Sequence, residues 1–323
     1  MESGESTLIP CDLPENLKAV YRNLVSRETK AKPPVVIVTT TCFVQLYNGD
    51  FLLALMILKE LRRLGLIKLR GFAVNVVPGK LGFQDLSKPA IGSFLERLGL
   101  DVSILYNYGS ETNTFLFHLL DTARKEGEKV TLLCLSSPLG MVEFSKNYPT
   151  VLTHSLAGGR VVFQDGYPDD LQSHWLNHRP GFHEKHAGPK FYKFLKEKEI
   201  PSIVFDRDIT REFRVSLTAK MLDNNANTEI GRELSSIAEE EYRADITWSD
   251  ALASASVIGD EAMLRLGMIK TPFPGCSQSV HQEVGSGREK LNVTGAGMCL
   301  ALEALFRGSL LAISQGLPSK PQI

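Results

Sequence analysis

The sequence has no excess of charge of either sign, since 36 lysine and arginine residues stand against 37 aspartate and glutamate residues. A dedicated nucleic-acid surface needs clustered cations, so we do not expect nucleic acid as a partner. No apolar run approaches the roughly 18 residues of a membrane span, and the polar, acidic residues 1–6 do not form a secretory signal. We therefore expect a cytoplasmic protein without a membrane partner.

Cysteine is also scarce and unpatterned. The five cysteines form no CxxC pair, and their odd number does not fit a disulfide framework. Cys134 stands inside an apolar strand pattern, so we expect reduced and mostly buried thiols. What remains is an ordinary globular composition, with 43% hydrophobic and 23% charged residues.

From residue 34 onward, β-branched runs alternate with amphipathic helical stretches. Residues 35–40 form a continuous apolar run, typical of a strand buried on both faces. Residues 50–64 place apolar side chains at helical spacing and end in two arginines before a glycine. This alternation predicts an α/β fold with a mostly parallel sheet flanked by helices. After about residue 225 the pattern becomes helical, which predicts a helical C-terminal region.

The pattern also gives approximate bounds for the remaining elements. Further strands are predicted at 67–77, 102–105, 129–135, Arg160–Gln164 and Ser202–Phe205. Further helices are predicted at Glu15–Val25, 89–98, 111–126, 189–197, 216–224, 229–241, 250–257 and 300–315. We divide the chain into an N-terminal extension, residues 1–33, and a single domain, residues 34–323.

The end of the first strand is the most informative place in the sequence. In open α/β folds, ligands bind in the crevice outside the carboxyl ends of the strands. The strand that begins at residue 35 therefore delivers the loop after it, and Asp50 at the start of the next helix, to the predicted site. Asp50 is a candidate ligand or general base, although an aspartate at a helix start also serves as an N-cap.

Five segments between about residues 34 and 255 resemble, in order, the inosine/uridine-preferring nucleoside hydrolases. The first strand and the Gly49-Asp50 turn resemble the family's acidic strand-to-helix signature. Residues 87–102 resemble the helix and strand that follow, and residues 130–140 resemble the strand that ends in Gly-Pro-Leu-Thr-Asn. Residues 200–218 resemble the strand that ends in Asp-Val-Thr, and residues 249–253 resemble the closing His-Asp-Pro-Leu-Ala. The resemblance implies a nucleoside-hydrolase-like fold.

The same resemblance implies a chemistry. Enzymes of that family hold one Ca²⁺ with aspartates of the first loop, a backbone carbonyl after the strand that ends in Pro-Leu, and the late aspartate. The metal holds the ribose hydroxyls and a water, and an aspartate takes a proton from that water as it attacks the anomeric carbon. Carried onto this sequence, the metal ligands are Asp50, Asp250 and a carbonyl at Leu139 or Gly140.

This sequence departs from the family pattern at several acidic positions. The family's first two aspartates fall on Thr39 and Thr41, and its late histidine falls on Ser249. Ca²⁺ takes six to eight oxygen ligands, so two carboxylates and a carbonyl make a poor site. An amide oxygen of Asn48 or Gln45, in the lengthened loop, could add a ligand. We therefore expect a degraded calcium site.

Candidate substrate-binding residues lie at the end of the first strand and in a later loop. The hydroxyls of Thr39 and Thr41 could hydrogen-bond a ribose or a phosphate, although threonine at a strand end also reflects β-propensity. Asn48 belongs to the same crevice loop. His183 and Glu184 lie in a histidine-rich stretch where the family carries substrate-binding residues, although such a stretch is also typical of a solvated polar loop.

These features predict a nucleoside N-glycosidase-like hydrolase that acts on a nucleoside or related ribosyl compound. Asp50 and Asp250 are its predicted catalytic pair, although Asp250 could simply cap the helix that follows it. One alternative is a catalytically inactive binding or interaction protein of the same fold. Another is a metal-independent enzyme with altered chemistry in the same crevice. The resemblance further implies a homodimer or a homotetramer.

Overall fold

Within the described residues, six parallel strands, numbered β1 to β6 along the chain, form one sheet. Their order in the sheet is β3-β2-β1-β4-β5-β6. The computed structural model describes residues 8–26, 32–41, 49–75, 95–96, 98–107, 111–135, 138–164, 187–205, 232, 249–270 and 295–317. The strands are β1 (Val35–Thr41), β2 (Lys68–Asn75), β3 (Ser103–Asn107), β4 (Val130–Cys134), β5 (Arg160–Gln164) and β6 (Ser202–Phe205).

Helices follow most of the strands and continue beyond the sheet. They are α1 (Glu15–Val25), α2 (Gly49–Arg63), α3 (Glu111–Lys125), α4 (Leu139–Asn147), α5 (Pro149–Ser155), α6 (Ala187–Glu197), α7 (Ser249–Ala255), α8 (Asp260–Arg265) and α9 (Gly295–Ser314). A short 3₁₀ turn, Ser256–Ile258, joins α7 to α8.

The sheet is covered on both faces, because alternate residues of β1 enter different hydrophobic clusters. Val36 and Val38 pack with α1, α2, α7, α8 and α9 on one face. Val35 and Ile37 pack with α3, α4, α5 and α6 on the other face. Successive side chains of a strand point to opposite sides of the sheet, so a continuous apolar run is what a sheet covered on both faces requires.

The segment before β1 is packed onto the helices of the first face. Tyr21 of α1 is fully buried, and its hydroxyl donates a hydrogen bond to Glu60 Oε1 over 2.5 Å. Arg63 donates to both carboxylate oxygens of Glu60, and its Nη2 also donates to the Leu8 carbonyl over 2.7 Å. These bonds tie α1 and the chain before it to the last turn of α2.

Helix α9 faces this same buried network. A Cβ atom placed on Gly308 would lie 1.6 Å from the Tyr21 hydroxyl oxygen, so only glycine allows α1 to approach α9 this closely. By length and composition alone α9 could span a membrane, since the window Ala296–Ser314 has a mean hydropathy of 1.6. In the fold, α9 packs against α1, α2 and α7, and 56% of that window is buried. Its apolarity therefore fits a core helix.

The sequence-based interpretation of the fold is confirmed in its main features. The sheet is parallel and flanked by helices, and the chain continues into the helices α7, α8 and α9. The predicted helices were wrong at two places. The pattern gave one helix after β4, where the structure has two, α4 and α5, and it gave none at the position of α8. The helices predicted at 216–224 and 229–241 lie outside the described residues, apart from Arg232. The division at residue 33 stays a prediction.

Candidate functional site

The strand order reverses between β1 and β4. Along the chain, β2 and β3 extend the sheet on one side of β1, whereas β4, β5 and β6 extend it on the other. Connections on the two sides therefore leave the carboxyl ends of β1 and β4 in opposite directions and open a crevice between them. This is the position that general topology assigns to a ligand.

Backbone and side-chain hydrogen bonds hold three strands together at this edge. The Leu135 amide, just after β4, donates to the Thr39 carbonyl of β1 over 2.9 Å. The Leu135 carbonyl accepts a hydrogen bond from Gln164 Nε2, at the end of β5, over 3.1 Å. The floor of the crevice is thus bonded from β1 across β4 to β5.

Buried polar side-chain atoms on β1, β5 and α7 lack a hydrogen-bond partner among the described residues. They are Thr39 Oγ1, Gln164 Oε1 and Ser254 Oγ, on side chains that are each at most 2% exposed. A buried polar atom that makes no hydrogen bond costs about 1–3 kcal/mol. Such atoms at the end of two strands mark a place where a polar ligand or ordered water would complete the bonding.

The thiol of Cys134 is not a nucleophile in this site. Cys134 pairs with Thr39 across β4 and β1 and is fully buried. Burial raises its pKa to about 12, and the nearby Thr39 hydroxyl lowers it by a smaller amount. The thiol therefore stays protonated at neutral pH and lies beside the Thr39 hydroxyl.

Asp250 lies on helix α7, and its place in the crevice stays a prediction. It is the second residue of α7 and only 4% exposed, and α7 packs against α2, β5 and β6. Ser254 follows four residues later and therefore lies on the same face of the helix. Asp50 is likewise the second residue of its helix, α2, but its side chain is outside the described part of the structure. The packing of α2 on α7 brings together the two helices that begin with the predicted acidic pair.

The other predicted site residues are placed only in part. Thr41 ends β1 opposite Asn75 of β2, and Leu139 begins α4 directly after β4, so both stand at the carboxyl edge. The side chains of Thr41 and Leu139 are not described. Three further predicted residues, Asn48, His183 and Glu184, lie outside the described residues altogether. The roles assigned to all of them from the sequence stay predictions.

The described donors can be compared with the needs of Ca²⁺, the metal that the family resemblance implies. At the position of a family aspartate stands Thr39, which offers a neutral hydroxyl beside a protonated thiol. Within the described residues, no three histidine, cysteine, aspartate or glutamate side chains are grouped so that they could hold a metal ion. Because Ca²⁺ takes six to eight oxygens, and the Asp50 side chain and residues 42–48 lie outside the described part, the calcium site stays a prediction and we derive no step through it.

Sequence reasoning missed two buried polar residues, Gln164 at this edge and Ser254 inside α7. Gln164 is a polar residue that ends the otherwise apolar run Val161–Phe163, and this contrast was a usable signal. The sequence signal at Ser254 was weaker, since small residues also occur where helices contact each other. Both side chains could hydrogen-bond a sugar hydroxyl, because each carries an acceptor and a donor.

Comparison with known proteins agrees with this architecture. No protein-family profile matches the sequence, and no curated protein matches it. The type III effector protein XopQ complexed with adenosine diphosphate ribose superposes with a TM-score of 0.65 and 14% identity, over 92% of this chain and 99% of that one. The effector protein XOO4466 superposes with a TM-score of 0.62 and 14% identity, over 92% of this chain and 99% of that one. An inosine-guanosine nucleoside hydrolase gives 0.54 and 12%, over 84% of this chain and 98% of that one. These likenesses establish the nucleoside-hydrolase-like fold that the sequence predicts.

Proposed function

We propose that this chain binds a nucleoside or a related ribosyl compound, such as ADP-ribose, in the crevice between β1 and β4. The observation that carries the proposal is the pair of buried polar atoms without a described hydrogen-bond partner, Thr39 Oγ1 on β1 and Gln164 Oε1 at the end of β5, near the edge where the strand order reverses. Neutral hydroxyl and amide groups match the hydroxyls of a ribose. The fold shared with XopQ, which was crystallised with adenosine diphosphate ribose, supports the ribosyl class.

Hydrolysis of the N-glycosidic bond is the first candidate activity. In this reaction the bond between the anomeric carbon and the base nitrogen breaks, a bond from that carbon to a water oxygen forms, and the base leaves with a proton. One carboxylate of the pair Asp50 and Asp250 takes the proton of the attacking water, and the other stabilises the positive charge on the sugar ring. The burial of Asp250 strengthens such electrostatic effects, because water screens them less.

Binding without hydrolysis is the second candidate function. The observation that favours it is Thr39, a buried and neutral residue at the position of a family aspartate. Without that carboxylate, the crevice keeps its shape and hydrogen-bonding groups but loses negative charge for activating a water. Such a site would hold its ribosyl ligand intact.

One experiment separates the two functions. ADP-ribose and inosine are titrated into the protein by calorimetry, and each mixture is then analysed by chromatography for the released base or nucleotide fragment. Asp250→Asn and Gln164→Met are the test variants, and Asp101→Asn, an exposed position outside the crevice, is the matched control. Each titration is repeated with added Ca²⁺ and with a chelator.

The outcomes are distinct. Binding with product release, both lost in Asp250→Asn but kept in Asp101→Asn, supports the hydrolase. Binding without release, weakened in Gln164→Met, supports the binding function. Failure of the wild-type protein to bind either ligand contradicts both. The predicted cytoplasmic location and homodimer or homotetramer stay predictions, and light scattering after gel filtration tests the oligomer.

A further inference from the structure

A second cavity lies at the opposite edge of the sheet. Its volume is about 650 Å³, within the range of small-molecule pockets. The wall contains the first residues of several strands, among them Lys68 of β2 and Arg160 of β5, together with the end of α1 and the helix α8. Since all six strands are parallel, this amino edge is separated by the length of the sheet from the crevice described above.

The lining of this cavity is strongly cationic for a protein with a net charge of −1. Two acidic residues contribute to the wall, Asp260 and Glu261. The cationic residues that contribute to it are Lys32, Lys68, Lys129, Arg160 and Arg265. Positive charges on a concave wall attract anions more strongly than the same charges on a flat surface do, because the low-dielectric wall focuses the electric field.

Two of the five cations are already neutralised by carboxylates. Arg160 Nη1 lies 2.5 Å from Asp260 Oδ1, and Lys68 Nζ lies 2.6 Å from Glu128 Oε1. Among the described residues, no carboxylate lies within 4.0 Å of the remaining three cations, Lys32, Lys129 and Arg265. Within the same residues, no cation lies within 4.0 Å of Glu261. Three unpaired cations and the one unpaired carboxylate, Glu261, therefore leave the described wall with a surplus of two positive charges.

Arg265 shows most directly that this surplus is not fully satisfied. Its Nη1 donates to Ser26 Oγ over 3.1 Å, which fixes the guanidinium between α8 and the end of α1. Its Nε is buried and has no hydrogen-bond partner among the described residues. An arginine held in place on the cavity wall is suited to an anion that accepts hydrogen bonds from its guanidinium group.

We propose that the cavity at the amino edge of the sheet binds the phosphate group of a phosphorylated small molecule, with Arg265, Lys129 and Lys32 as its cationic contacts. Phosphate fits better than carboxylate because a phosphate monoester carries between one and a half and two negative charges near neutral pH, which matches a surplus of two. The volume leaves room for the organic part of such a molecule. This site is independent of the ribosyl site proposed at the carboxyl edge.

The test uses inorganic phosphate as the probe, titrated into the full-length protein at constant ionic strength. Lys129→Gln is the main variant, because Lys129 is exposed and its loss leaves the fold intact. Lys193→Gln, on an exposed part of α6 outside the cavity, makes the same charge change and is the matched control. Arg265→Gln is compared with Arg265→Lys, which keeps the charge but not the planar fork.

We expect saturable phosphate binding in the wild-type protein and in Lys193→Gln. In Lys129→Gln the dissociation constant should rise roughly tenfold, the equivalent of about 1.4 kcal/mol. Arg265→Gln should weaken binding more than Arg265→Lys does, and saturating inosine should change none of these values. Absence of saturation at millimolar phosphate overturns the proposal, and so does an equal effect of Lys129→Gln and Lys193→Gln.

Discussion

Replacing Glu60 with glutamine should destabilise the protein severely, although the change alters only one atom. The Glu60 side chain is fully buried, and its two oxygens accept hydrogen bonds from the Tyr21 hydroxyl and from Nε and Nη2 of Arg63. A glutamine would turn an NH₂ group toward one of these donors. It would also replace the charge that faces the Arg63 guanidinium, which is only 4% exposed, with a neutral amide. Breaking a buried ion pair from one side typically costs about 3–5 kcal/mol.

The matched control is Glu15→Gln on α1. Glu15 also contacts two cations, Lys18 and Arg22, but its side chain is 73% exposed. Exposed ion pairs contribute about 1 kcal/mol or less, so this variant should lose little stability. Tyr21→Phe should fall between the two, because it removes one hydrogen bond to a charged group, worth about 1.5–3 kcal/mol, and leaves the Glu60–Arg63 pair in place.

The assay is urea unfolding followed by far-ultraviolet circular dichroism, with the free energy of unfolding compared among the variants at equal slope. The expected order of loss is Glu60→Gln, then Tyr21→Phe, then Glu15→Gln. A loss of 1 kcal/mol or less for Glu60→Gln, or a loss equal to that of the exposed control, would refute the reasoning. It would mean that the segment before β1 contributes little to the stability of the fold.

Three further predictions concern single side chains. Burial lowers the Lys59 pKa to about 8 from 10.5, so the folded state binds fewer protons than the unfolded chain between these values. Lys59 alone should therefore make the free energy of unfolding rise with pH across that window, by up to about 1.4 kcal/mol per unit. Because the raised pKa of buried Cys134 acts in the opposite direction above about pH 9 in both proteins, the rise is measured as the difference between the wild type and Lys59→Met in a pH series. Gly308→Ala should destabilise the protein in thermal melts, and Tyr21→Phe should not rescue it, because the added Cβ would also lie 2.3 Å from a ring carbon. Iodoacetamide should modify exposed Cys11 and spare Cys134, as peptide mass spectrometry would reveal, and labelling of both in the native protein would contradict the buried position.

Local patterns were sufficient to predict many elements of this fold. The bounds of β5, β6 and α1 agree with the pattern, because apolar runs and amphipathic spacing are local properties. The separate helix α5 was missed, although Pro149 at its first position was a usable start signal. Alternation predicted parallel strands but could not give their order, since order depends on which side each crossover takes. The buried contact from Tyr21 to Glu60 joins residues 39 apart and leaves no trace in either local pattern.

The candidate site was predictable to a smaller extent. Position along the chain predicted Thr39 and Asp250 as site residues, because strand ends and helix starts converge at one edge of a parallel sheet, and the roles of both stay predictions. The pairing of Thr39 with Cys134, and the bond from Gln164 to Leu135, depend on β4 lying between β1 and β5. The cavity at the amino edge was not predictable, since its cations come from five separate segments of the sequence.

The contact between α1 and α9 can form only near the end of synthesis, because α9 is among the last segments to be made. Asp12, just before α1, accepts a hydrogen bond from Gln315, and the two residues are 303 positions apart. At about 5–20 residues per second, a ribosome needs roughly 15–60 s to make the chain between them. Throughout that interval α1 has no α9 against which to bury Tyr21. The nascent chain can therefore bond α1 to α2 early, but the face of α1 that packs on α9 stays without its partner for nearly all of translation.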